Sequence, residues 1–173
     1  MAFSLSVHHL CALDISVDDL VQIAADQGCE YVGVFTYVPE AARGRYPQIV
    51  AADLPRLTEK MRGCGVRAGN LEVFPLDGHE DEEAFARSLD VGAALGATRA
   101  TAHIHAVSNS LEAVERFGRF AALCAQSGIV AGLEFHRFSA VADIAGAAQI
   151  VREAGHEHGK LVCDALHLFR NGG

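Results

Sequence analysis

Two short apolar runs in this chain each close on an acid. Ile129-Val-Ala-Gly-Leu-Glu134-Phe-His136 ends at Glu134, and Leu161-Val-Cys-Asp164-Ala-Leu-His167 ends at Asp164, with His167 three residues beyond. A carboxylate at the end of a buried strand is costly unless something pairs with it. Two of them side by side repel each other in a low-dielectric site, and a divalent cation relieves that repulsion. Oxygen donors with a nearby imidazole suit Mn²⁺, Mg²⁺ or Zn²⁺ without choosing among them. The plainer alternatives are a cap on the following helix or an ion pair with an arginine.

Other residues able to do chemistry also collect at the ends of apolar runs: Glu72, His103, His105 and His136. His103 and His105 are two apart, hence on one face of a strand. His105 is nearer the end and is the candidate for a pocket; His103 reads as a core histidine with its hydrogen bonds met. Glu72 either lines the same mouth or makes a salt bridge. Arg170 either holds an anionic group or is exposed. His8 and His9 point to opposite faces, so at most one faces inward. His156 and His158 precede a strand and read as solvated residues of the opposite rim.

The elements that must position these residues alternate along the chain. Phe3 to Leu10 reads as a strand, and Ser16 as the N-cap of an acidic first turn, Asp18-Asp19, in a helix that stops at Gly28. Tyr31 to Tyr37 is the second strand. A polar connector from Pro39 to Pro47 leads to a helix from Ile49 to Arg62, which Pro55 must kink or begin. Val66 to Leu76 is a strand, Asp81 to about Leu95 a helix, Arg99 to Ala106 a strand and Leu111 to Gln126 a helix. The strand ending at Glu134, a helix from Val141 to Ala154 and a strand at Leu161 complete the series. Six strands with five helices between them, in units of about 30 residues, predict a parallel sheet covered by helices. An open doubly wound sheet and part of a (β/α)₈ barrel both fit. The first turn, His9 to Asp14, has no GxGxxG, which argues against a dinucleotide site. Polar residues gathered at strand C-termini favour the barrel.

The bulk numbers set bounds. The chain has 173 residues, half of them hydrophobic, enough for one domain with a core. Fourteen Lys and Arg against 22 Asp and Glu give a net charge of −8, which opposes a nucleic-acid surface. The opening residues lack the pattern of a signal peptide, and no run approaches a membrane span. Five widely spaced cysteines, with no CxxC, read as buried free thiols in a reducing cytoplasm.

Gly132-Leu-Glu134-Phe, followed about 30 residues on by Leu-Val-Cys-Asp164-Ala-Leu-His167, resembles the xylose isomerase-like TIM-barrel superfamily, the sugar phosphate isomerase/epimerase group. The tail His167-Leu-Phe-Arg170-Asn-Gly172 is similar to the loop after strand six in that group. The resemblance implies a (β/α) barrel over residues 1–173, a single domain of about six βα units that lacks strands seven and eight. It implies one divalent metal, Mn, Mg, Co or Zn, with Glu134 and Asp164 as ligands. It implies catalytic roles for Glu134, as acid/base, and His167, on a substrate oxygen; His105, Arg170 and Glu72, from their own positions, are the candidates to bind substrate. The implied activity is isomerisation or epimerisation of a small sugar or polyol derivative by enediolate proton transfer. The related lyases, of the inosose or 3-dehydroshikimate dehydratase type, are an alternative. So are an endonuclease IV-like enzyme and a barrel without catalysis. The expected partner is the small molecule, with no nucleic acid and no membrane. An unclosed sheet also allows association into a homo-oligomer.

Overall fold

The computed structural model describes residues 3–171. Six parallel strands lie side by side in chain order: β1 Ser6–His8, β2 Tyr31–Phe35, β3 Arg67–Pro75, β4 Arg99–His103, β5 Val130–Glu134 and β6 Gly159–Val162. A doubly wound sheet reverses its strand order at a switch point. Here each strand adds to the same growing edge, which is the winding of a barrel.

The helices are α1 Val17–Asp26, α2 Leu54–Cys64, α3 Glu82–Ala94, α4 Ser110–Gln126, α5 Ile144–Ala154 and α6 Ala165–Arg170. Their starts follow side-chain caps. Ser16, Asp81, Asn109 and Asp143 each accept a hydrogen bond from a backbone N–H in the first turn. Asp143 is why α5 begins three residues later than its apolar pattern suggests. Pro55 lies in the first turn of α2, so it marks the start and causes no kink. Gly65 and Gly155 take left-handed conformations that end α2 and α5. The first strand is shorter than its apolar run, because His9–Cys11 turn as a 3-10 helix.

The core lies between sheet and helices. Val32, Val34, Leu71, Ala100, Ala102 and Leu133 are buried on that side. They belong to one cluster with Leu20, Leu57, Leu89, Phe117 and Ile150 of the helices. Tyr37, Phe74, Phe85 and Phe120 add an aromatic group with centroids 4.7 to 6.1 Å apart. Strand alternation then places His8, Gly33, Phe35, Glu72, His103 and Glu134 on the other face. Thiol burial is partial: Cys124 is buried, but Cys11 and Cys163 are exposed. No helix among the described residues is long and apolar enough to cross a membrane.

Candidate metal and substrate site

The face turned away from the helices opens into a cavity of about 660 Å³ at the C-terminal ends of the strands. Its polar wall holds Glu72, His103, His105, Glu134, Asp164 and His167. His8 enters from β1, and Phe35, Tyr37 and Tyr46 form an apolar side.

Glu134 ends β5, and its Oε2 accepts a hydrogen bond from His103 Nε2 at 2.5 Å. A carboxylate has no proton to give, so Nε2 is the donor in this bond. Asp164 is the N-cap of α6: its Oδ1 accepts from the backbone N–H of His167 at 2.9 Å. The capping alternative is therefore realised, and it leaves the second Asp164 oxygen for other work. Glu134, Asp164 and His167 each offer one donor atom, all within 4.8 Å of one another. His103, His105 and His136 do the same. The two sets adjoin, with the rings of His136 and His167 5.7 Å apart.

His105 is held from the backbone side. Asp77 Oδ1 accepts from the N–H of His105 at 2.8 Å and of Ala106 at 3.3 Å. Glu72 is fixed by Asn70 Nδ2 at 2.9 Å, and Asn70 is braced by Thr101 on β4.

Burial and crowding set the charges. The Glu72 carboxyl is pushed up to about 7, first by burial and then by Glu134, with Asp164 adding; His103 and the bond from Asn70 oppose this. His136 is pushed down to about 4 by burial and by the other histidines, against the pull of Glu134. Burial, then His9, lowers His8 to about 4, again against Glu134. Both rings are neutral at pH 7 and keep a lone pair.

The residues fit a divalent cation. Among the described residues, two carboxylates and an imidazole converge, no arginine or lysine on the cavity wall relieves the repulsion between the carboxylates, and His136 Nδ1 is buried without a hydrogen-bond partner. The chemistry of the first set suits a hard or borderline ion, and that of the second a nitrogen-loving one.

Each residue picked out from sequence has a definite place. Glu134, Asp164, His167, His105 and Glu72 line one cavity. Arg170 is not on that wall: it is exposed in an adjoining depression with Arg137, Phe138 and Asn171, which shares His167 with the cavity. His103 is no self-contained core histidine but lines the cavity as the partner of Glu134. His136, one of the polar residues at the strand ends, is 7% exposed and meets both His103 and His105, at 4.6 and 5.2 Å between centroids. His156 and His158 are half-buried, not solvated; His158 Nδ1 bonds the Ile129 carbonyl at 2.8 Å. His8 faces inward, while His9 is fully buried with Nε2 on the Ile15 carbonyl.

No protein-family model matches the chain, and no curated protein matches it in sequence. Solved structures match its fold. A xylose isomerase domain-containing protein from Salmonella typhimurium superposes with a TM-score of 0.75 at 18% identity, over 94% of this chain and 60% of its own. The IolI protein with a bound zinc atom gives 0.75 at 17% identity, over 99% and 66%. A D-psicose 3-epimerase crystallised with D-fructose gives 0.75 at 15% identity, over 95% and 64%. The fold is that of the xylose isomerase-like TIM barrels, over six consecutive βα units, and the chain spans about 60 to 66% of the length of these proteins.

Proposed function

We propose that this chain, as one domain over residues 1–173, carries the metal-holding part of a site that isomerises or epimerises a small sugar or polyol derivative. The carrying observation is the convergence of Glu134, Asp164 and His167, within 4.8 Å, on the wall of the strand-end cavity. Those three residues would hold the cation, in keeping with the zinc in the IolI protein. When bound, it supplies positive charge against the substrate oxygens on which negative charge develops as a proton leaves carbon.

The chain's own residues supply the rest. His103 fixes the direction of the Glu134 carboxylate, which takes the proton from the carbon beside the carbonyl. Its return to the neighbouring carbon, with the hydroxyl proton passing to the former carbonyl oxygen, gives an isomer; an epimer requires a second acid that delivers a proton to the opposite face of the same carbon. His167 hydrogen-bonds a substrate oxygen where the ion leaves its ring free to do so. His105 and Glu72 meet the remaining hydroxyls. The D-psicose 3-epimerase with D-fructose supports the substrate class.

The test is elemental analysis of the purified chain beside Asp164→Ala, then incubation with D-fructose and D-tagatose. About one divalent ion in the wild type, none in the variant and a new ketose in the mixture support the reading. Loss of water from the sugar instead moves it to a lyase. A folded wild type that takes up no ion overturns it.

A further inference from the structure

His8 has a tautomer fixed by its own backbone. It is the N-cap of the 3-10 turn His9–Cys11, and the N–H of Leu10 donates to its Nδ1 at 3.0 Å. Nδ1 is thus the acceptor, and the neutral ring carries its proton on Nε2. The ring is also clamped. In the β1–β2 register His8 lies opposite Gly33, where a Cβ would overlap the imidazole. Phe35 meets it edge-on, with centroids 5.6 Å apart.

The Nε2 proton has nowhere to go within the protein. The atom is buried without a hydrogen-bond partner among the described residues. It faces Glu72 Oε1 at 3.7 Å, beyond hydrogen-bond range. Glu72 cannot close the gap without leaving Asn70, which holds it at 2.9 Å. Both residues line the cavity. An immobilised donor and an immobilised acceptor therefore stand just too far apart to satisfy each other. One oxygen at about 2.8 Å from each would bridge them, once the side chains that cover Nε2 give way to the ligand.

We propose that His8 and Glu72 form a second anchor of the cavity, which grips a single hydroxyl of a neutral polyhydroxylated ligand. The choice of group follows from the donor and acceptor. A hydroxyl oxygen accepts from Nε2–H and gives its own proton to the Glu72 carboxyl. A phosphate or carboxylate would meet Glu72 with Glu134 and Asp164 close by. An ammonium would meet the positive end of the His8 N–H. The anchor deepens the proposed sugar or polyol reading and rests on it, but it uses residues of β1 and β3 that take no part in holding the cation.

The experiment is calorimetric binding of D-fructose, D-tagatose and the monodeoxy analogues of D-fructose to the full chain with Mn²⁺ present. His8→Phe removes the donor and keeps a flat ring; it is expected to weaken D-fructose about tenfold, the loss of one net hydrogen bond. His8→Gln, whose amide nitrogen reaches nearly the position of Nε2, is expected to recover most of that loss. One deoxy analogue should bind wild type about as weakly as D-fructose binds His8→Phe, and should be indifferent to the substitution. Equal weakening of every analogue, or no weakening, overturns the anchor. Bound metal is counted in the same samples. A chain that takes up the ion but binds no sugar overturns the anchor and leaves the metal reading standing. Sugar binding that depends on His8 with no ion taken up keeps the anchor and overturns the metal reading.

Discussion

His103 Nε2 lies 2.5 Å from Glu134 Oε2, between two side chains only 13% exposed. The bond joins the ends of neighbouring strands β4 and β5 and sets the direction of the carboxylate placed against Asp164 and His167. A hydrogen bond behind a ligand orients it and tunes its basicity. His103→Phe should therefore weaken Mn²⁺ or Zn²⁺ binding by about 10- to 100-fold while the fold persists. Competition against a chromophoric chelator measures this. Unchanged affinity in a folded variant would remove His103 from the site.

Gly33 gives the His8 ring its place. Gly33→Ala puts a methyl group where the ring lies, with backbone on one side and Phe35 on the other. Overpacking of this kind costs about 1–3 kcal/mol. Gly63→Ala is the contrast: it lies in α2 with nothing within 4 Å of its added Cβ, and should stabilise by about 0.5–1 kcal/mol. Urea unfolding of both variants tests the pair, and a neutral Gly33→Ala would contradict the close approach.

Stability should depend on pH in two opposed ways. His8 and His136 are lowered to about 4 in the fold from 6.5, so the unfolded chain binds more protons between those values. Their contribution is present above pH 6.5 and is lost as pH falls towards 4. Glu72 is raised from 4.5 to about 7, so the folded chain binds the extra proton. Its contribution is present below pH 4.5 and is lost as pH rises through 7. Glu72→Gln removes that second term. Relative to wild type it should gain stability between pH 4.5 and pH 8, by on the order of 2 kcal/mol. Denaturation of the metal-free chain across this range decides it, and a constant difference between the two proteins would refute the raised carboxyl.

Arg116 on α4 ties the loops after β3 and β4 together. Its Nη1 donates to the carbonyls of Leu76 and Ala106, both at 3.0 Å, and Nη2 pairs with Glu112. Asp77 binds the same stretch through the N–H groups of His105 and Ala106. Arg116→Met leaves carbonyls without their donor and should cost about 1–3 kcal/mol. Faster hydrogen exchange should appear at residues 104–107 ahead of the strands. Protection unchanged there would mean that Asp77 alone holds the His105 loop.

The sequence was enough to set the alternation of strands and helices, the parallel sheet and the acids at the ends of two strands. Those features follow from short covalent spacing: periods of 2 and 3.6, caps such as Ser16, stops such as Gly28, and an apolar run closed by a carboxylate. It also brought Glu134, Asp164 and His167 under suspicion together, through their repeat spacing and their resemblance to known barrels. It did not reveal α6, whose six residues depend on the Asp164 cap more than on any apolar period. Which residues meet across strands is a matter of the folded sheet. His103 and Glu134 are 31 residues apart, and nothing local to either makes them partners. Strand order does, by setting β4 beside β5. The same reason separates His8 from His9: alternation turns one inward, but only the register over Gly33 gives that ring its place beside Glu72. Arg170 shows the converse, a charged residue close in sequence to Asp164 that α6 places off the cavity wall, in the adjoining depression bounded by His167.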